Sequence, residues 1–461
     1  MRVSNSLWRG AFLLFGLAFC VAVTLAAPPL TLPGYEWAWI LPLWALFCFA
    51  AFLWKPLFQC RTPFLVLFSA VVFLRYGLLS WAMLFSECFY GVSGCSPAAS
   101  SLEAALELMM LELGVASLAI RLLYARGMEQ SRSGYDCGTG PIPVYAAFIA
   151  ASAMFLVFTP AARSGFMLFS TGQPVVESLS FWALGVRECF DNARFFLLFS
   201  LLFMVESRAV SAPLTVFLLG MGAAVTVGVQ VGTNRKIIAA SALALACVLA
   251  RVYPQRRKFI FLALGGLAIL LVAATTLYRA SAAGLDAVGL RYLSPEHLQA
   301  YLLGQYNIAL GLEASAMGGD IALEQAFMEL LRPVFGIGSL LKEHCVMLSK
   351  QYFDWRVSMG LDALRKDQIL PMIVQGKMLF GLLGAMAFTV IPVYAGWYCD
   401  RLYRSSASLE LSFLGAYLAF YFAQAMILNM TIIINNVTFM LAIFLPVVGL
   451  GRLCARLRRS R

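Results

Sequence analysis

The stretch "VGTNRKIIAASAL", residues 231–243, places Arg235 and Lys236 beside Asn234 at the join of two apolar runs. Two cations at such a join are costly unless an anion accompanies them, so the chemistry to expect is recognition of a negatively charged group. Other arginines share the pattern: Arg194 heads an apolar run, Arg279 ends another, and Arg187 and Arg291 lie close by in sequence. Guanidinium forks bind phosphate oxygens in a bidentate way and keep their charge at any relevant pH. Gathered at one level they would suit a pyrophosphate; taken singly, each could equally snorkel to lipid headgroups.

Residues able to move protons concentrate elsewhere. The chain has two histidines, His297 and His344, and both fall between residues 279 and 370 with many carboxylates and cations. Most of those charges are expected to be ordinary solvated surface. The chain carries no CxxC, HExxH or carboxylate pair at metal-ligand spacing, so nothing in it calls for a metal. Cys88 and Cys95, in "ECFYGVSGCSP", are spaced either to close a small disulfide loop in an oxidising compartment or to remain two unpaired thiols.

The elements that position these residues follow from composition. Of 461 residues 61% are hydrophobic and 12% charged, with a mean hydropathy of +0.83. A soluble domain of that size cannot bury so much apolar surface and keep a wettable exterior. The expectation is an all-α, polytopic membrane protein. Runs of roughly 20 apolar residues cross a bilayer, and about twelve can be read: 7–26, 37–54, 63–85, 102–124, 141–160, 193–210, 213–231, 237–250, 259–278, 371–398, 411–429 and 432–450. Three regions result: a bundle of nine spans over 1–278, a large loop with short helices over 279–370, and three spans with a basic tail over 371–461.

Short loops rich in Lys and Arg stay cytoplasmic. With the N-terminus inside, the inner segments receive Arg2, Arg9, Lys55, Arg61, Arg121, Arg126, Arg132 and Arg208. They also receive the cations of "ARVYPQRRK", then Arg401, Arg404 and the tail "RLCARLRRSR". Charge bias and even span count agree on two cytoplasmic termini. This distribution also accounts for most of the net charge of +11, which argues topology rather than nucleic-acid binding.

The loop over 279–370 is then extracytoplasmic, and loops that long usually carry function. "SPEHLQAYLLGQYNIALGLEAS" opens with Ser294 as N-cap and Pro295 at the first helical position, and Leu298, Tyr301, Leu302, Gln305, Ile308 and Leu312 follow at helical spacing. Second and third helices are expected over 320–331 and 339–353. In span four, Glu103, Glu107 and Glu112 are expected to pair within the bundle with Arg75 of span three. Arg194, Arg235, Lys236, Arg279 and Arg291 then come to the outer face, against the positive-inside bias.

Many apolar spans, the "GTNRKII" cations and one large late outer loop together resemble the bacterial Wzy-type O-antigen or oligosaccharide repeat-unit polymerases. Within the loop, "YLLGQYNIALGLEAS" is similar to the family's tyrosine, glycine and "YN" leading into a helix. "DQILPMIVQGKMLFGLLGAMAFTVIP" is similar to the way the family re-enters the membrane, through a proline and then glycines. The chain departs from the pattern in its extra Lys236 and in Gln305, where proline is expected.

The resemblance implies a metal-independent membrane glycosyltransferase without a cofactor, in the bacterial cytoplasmic (inner) membrane, acting in polysaccharide or lipopolysaccharide biosynthesis. Its donor and acceptor would be lipid-linked oligosaccharides on polyprenyl (undecaprenyl) diphosphate, and membrane lipids and a chain-length-regulating co-polymerase would be its partners. One repeat attacks the anomeric carbon of another, and polyprenyl diphosphate leaves. Arg194, Arg235, Arg279 and Arg291, with Lys236 secondary, would stabilise the leaving diphosphate. A base would take the acceptor proton, and "KEHC" and "RKDQILP" offer Glu343, His344 and Asp367. A histidine titrates near neutrality unaided, and His344 is preferred to His297, which sits in the first turn of a helix. Two rival readings share the architecture: an O-antigen-ligase-like transferase with a different acceptor, and a transporter of the same lipid-linked oligosaccharide. Transporters tend to carry internal repeats, and none is evident.

Overall fold

A computed structural model describes residues 10, 14–23, 25, 32–86, 89, 97–125, 141–166, 180–207, 211–229, 231, 235–282, 294–318, 321–341 and 369–459. Among these the regular structure is helical, joined by short turns, apart from one isolated antiparallel bridge between Phe166 and Val231. Helices are what a bilayer demands of an apolar chain, because each satisfies its own backbone hydrogen bonds where no water can. The helices are α1 (Leu14–Val23), α2 (Ile40–Cys60), α3 (Pro63–Ser86), α4 (Ala99–Ala125), α5 (Ile142–Phe158), α6 (Phe181–Ser207), α7 (Ala212–Gly228), α8 (Arg235–Val252) and α9 (Arg257–Ala282). After them come α10 (Pro295–Leu302), α11 (Gln305–Gly318), α12 (Leu323–Leu331), α13 (Met372–Ser405), α14 (Leu409–Ala423) and α15 (Met430–Arg459).

A helix overlies each of the apolar runs read from the sequence. Among the described residues six are long and apolar enough to cross a membrane: α2, α3, α4, α13, α15 and the stretch Pro254–Thr276 that makes up most of α9. Span six was expected to begin at residue 193, but α6 starts at Phe181 and carries Arg194 well inside it.

Helix α14 is the axis of the bundle, buried along almost its whole length and packed against α3, α8 and α13. α4 closes on α13, and α5, α6 and α7 form a second row. One end is held by polar ties among the basic residues. Asp400, fully buried, accepts from the Thr62 hydroxyl, from the Tyr124 hydroxyl at 2.6 Å and from the Phe64 N–H at 2.9 Å. Glu410 accepts from Tyr145 at 2.6 Å and pairs with Arg452 at 3.0 Å. Arg251 donates to the carbonyls of Tyr403 and Arg404, capping the orphan acceptors at the end of α13. This is the basic end; the opposite one is the far end.

Two reversals distinguish the fold from a plain up-and-down bundle. The helix expected to run unbroken from 294 through 312 is divided. Leu303 turns left-handed at φ 49°, so α10 descends and α11 climbs back beside α4. The tip is buried rather than solvated: Leu303, Tyr306, Asn307, Ile308, Ala309 and Leu310 are fully enclosed. Gln305, at the position where proline was expected, explains part of this, because its amide donates to the carbonyls of Gly34 at 3.0 Å and Leu102 at 2.9 Å.

The second reversal lies in α13. Phe380 leaves the helical region and Gly381 takes φ 65°, ψ −156°, a conformation that only glycine adopts readily. Residues 372–379 therefore fold back on the helix that follows, and span ten, expected as one passage, begins with a short re-entrant hairpin. Its arms touch backbone to backbone: a Cβ on Gly376 would lie 2.5 Å from the Gly384 carbonyl oxygen, and one on Gly384 would overlap the Gly376 carbonyl. Replacing Gly384 with valine is accordingly expected to separate the arms and lower the thermal midpoint of the detergent-solubilised protein by several degrees, from a loss of about 1–3 kcal/mol. An unchanged midpoint would show that the hairpin tolerates a wider spacing.

Candidate functional site

Among the arginines in the half of the bundle away from the basic end, Arg75, Arg194 and Arg235 differ in what holds them. From Thr62 to Arg75 along α3, and from Tyr124 back to Glu112 along α4, a rise of about 1.5 Å per residue covers roughly 20 Å. The two side chains thus meet at one height. Arg75, with no exposed surface, pairs with Glu112 at 2.5 Å, and its Nε donates to the Leu303 carbonyl at 3.1 Å. The Tyr76 hydroxyl donates to the same carboxylate at 2.9 Å. Arg75 therefore ties the α10–α11 turn to the bundle. The pairing expected for span four is met by Glu112 alone, because Glu103 and Glu107 are exposed.

Arg194 is held at a comparable height between α6 and α7. It pairs with Asp191 at 3.0 Å, and its remaining donors reach the Asp191 carbonyl at 2.9 Å, that of Thr226 at 2.9 Å and that of Val229 at 2.5 Å. The last two are carbonyls at the C-terminus of α7, where a cation is favoured by the helix dipole and by unsatisfied acceptors. Buried and committed to protein acceptors, Arg194 braces the α6–α7 junction in this structure.

Arg235 differs. It opens α8, is partly exposed, and donates to the Thr276 hydroxyl of α9 at 3.1 Å and to the Tyr301 hydroxyl of α10 at 3.1 Å, with its guanidinium over the Tyr301 ring. Thr276 in turn donates to the Val272 carbonyl at 2.7 Å, which leaves its lone pairs to receive Arg235. Both partners are neutral, and among the described residues no carboxylate forms an ion pair with Arg235. The side chain is thus oriented by three helices, and among the described residues its charge is not cancelled by an acid. Lys236 follows it, partly buried.

Arg279 lies in α9 three positions beyond Thr276, so the backbone brings it within one helical turn of Arg235's partner. Arg291, Glu343, His344 and Asp367 fall outside the described residues. His297 lies on α10 one turn before Tyr301, its Nδ1 3.0 Å from the Ser294 hydroxyl. The structure thus brings Arg235, Thr276 and Tyr301 together, with Lys236 next to Arg235 and Arg279 close along the chain, and gives Arg194 a different set of partners. Thr276 and Tyr301 were missed as site residues because each reads as part of an apolar helical pattern. The hydroxyl pair in "AATTLYR" next to Arg279 was the available signal.

Under the α12 helix a small cavity is lined by Glu329, Pro333, Gln375, Leu379, Phe388 and Thr431. Glu329 there is buried and paired with Arg332 at 3.0 Å. Among the described residues no group of three or more metal-ligating side chains is assembled.

Compared with protein-family models, with curated proteins and with solved structures, the chain matches none.

Proposed function

We propose that the protein is a membrane-embedded glycosyltransferase that joins oligosaccharide repeat units carried on polyprenyl diphosphate into a surface polysaccharide. The observation that carries this reading is Arg235: a cation fixed by two neutral hydroxyls at the meeting of three helices, with no carboxylate paired to it among the described residues. Arg75 and Arg194, by contrast, are already neutralised by carboxylates. A diphosphate leaving group needs such a preorganised donor, because negative charge grows on it as the glycosidic bond to the anomeric carbon breaks. Arg235 with Lys236 and Arg279 would hold the diphosphate. Glu343, His344 and Asp367 stand as the candidates for the base that takes the acceptor hydroxyl proton.

In this reading all twelve apolar helices cross the bacterial cytoplasmic membrane, the basic end and both termini face the cytoplasm, and the far end opens outside. The excess of arginine at the basic end supports that orientation. The α10–α11 turn, gathered into the bundle by Arg75 and Gln305, supports an ordered rather than a loose outer loop.

The test is reconstitution. Purified protein in nanodiscs, given lipid-linked repeat units and no nucleotide sugar, should produce a ladder of longer glycans and release polyprenyl diphosphate. Added chelator should leave the ladder intact, since the donor is already activated by its diphosphate. A ladder that forms only with a distinct acceptor would assign the chain to the ligase-like transferases. No glycan transfer under any of these conditions, with transbilayer movement of the lipid-linked sugar instead, would identify a carrier.

A further inference from the structure

Helix α12 has three faces: one buried against the protein, one polar and exposed, and one apolar that, among the described residues, stays largely exposed. At about 100° per residue, Ala326 and Glu329 point to one side and are buried against the re-entrant hairpin of α13, with Leu330 beside them. Glu324 and Gln325 occupy a second, exposed sector. Leu323, Phe327 and Leu331, spaced four residues apart, occupy the third and are 64%, 54% and 45% exposed. A helix of nine residues is about 14 Å long, too short to cross a bilayer, yet three large apolar side chains in a row are unsuited to water.

The apolar sector is also continuous with exposed apolar surface at the start of the long arm of α13. The Phe327 ring lies 6.3 Å from that of Phe380 at the hairpin turn. Immediately beyond the turn Leu382 and Leu383, the first residues of the long membrane-crossing arm, are 54% and 75% exposed.

We infer that α12 is an interfacial helix lying along the bilayer surface at the far end, its Leu323–Phe327–Leu331 face set among lipid acyl chains and its Glu324–Gln325 face in water. Division into an apolar, a polar and a protein-bound sector is what a helix at that boundary requires. A second copy of the chain or a soluble partner would not need the apolar sector to run on into Leu382 and Leu383. The inference concerns lipid contact alone and holds whichever reaction the protein performs.

A fluorescent, environment-sensitive amino acid incorporated at Phe327 of the full-length protein, in phosphatidylethanolamine–phosphatidylglycerol vesicles, reads this directly. Its emission should shift to the blue, be largely lost when lipids bearing an acyl-chain nitroxide are added, and resist aqueous iodide. The same reporter at Gln325 should show the reverse, and one at Leu331 should repeat the Phe327 behaviour. Quenching by iodide at both Phe327 and Leu331 would place the face in water. Protection from both quenchers would mean that protein covers it. Either result overturns the inference.

Discussion

Replacing Arg235 with alanine is expected to lower the rate of glycan extension by about 10²–10³-fold, the usual loss when one preorganised donor to a developing anion is removed. Protein yield and thermal midpoint should hardly move, because Arg235 is partly exposed and its partners are two neutral hydroxyls that water can satisfy. Arg235→Lys should recover only part of the rate, since an ammonium keeps the charge but loses the planar fork. Tyr301→Phe and Thr276→Val leave the charge in place and remove what aims it. Each is expected to cost on the order of tenfold, the worth of one hydrogen bond to a charged group. The measurement is single-turnover extension in nanodiscs. Normal ladders from Arg235→Ala would return this arginine to a headgroup anchor.

Arg75 should behave in the opposite way. Arg75→Met is expected to destabilise the protein by about 3–5 kcal/mol, because it strands the Glu112 carboxylate in a site with no solvent access. It also removes the donor to the Leu303 carbonyl, so the α10–α11 turn should loosen before the bundle does. Hydrogen exchange over 302–311 should rise sharply, alongside a lower midpoint in detergent. Combining Arg75→Met with Glu112→Leu removes both charges and should restore much of the midpoint. It should not restore protection of the turn, since Leu303 still lacks its partner. Full protection in the double variant would show that Gln305 and the packing of Tyr306 suffice to hold the turn.

These two arginines mark what the sequence could and could not say. That the chain is a helical membrane protein was legible in its apolar runs, because a bilayer leaves an apolar segment no other way to satisfy its backbone than a helix or a closed barrel. That Arg75 would pair with a carboxylate of the next span was legible as well, since opposite charges in adjacent spans have no comparable partner in lipid, but the choice of Glu112 over Glu103 and Glu107 was not. The N-terminus of α10 was legible in Ser294 and Pro295, and its continuation was not. Nothing local announces that Leu303 turns left-handed, because the turn is held from outside by Arg75 and by the docking of Gln305 on Gly34 and Leu102.

The arginines show the same division. Sequence could gather Arg194 and Arg235 as cations against the topological bias, but both are arginines heading apolar runs, and the chain itself does not distinguish them. Tertiary structure does so through partners distant in sequence: carbonyls at the end of α7 for Arg194, and hydroxyls from α9 and α10 for Arg235. Likewise Gly376, Gly381 and Gly384 read as small residues within a span, and only the fold-back of α13 sets two of their backbones in contact. Apolar periodicity determines which segments leave water, since that free energy depends on composition over a helix length. Which charge is cancelled and which is left available is decided by contacts between segments far apart in the chain, and those exist only once the helices have packed.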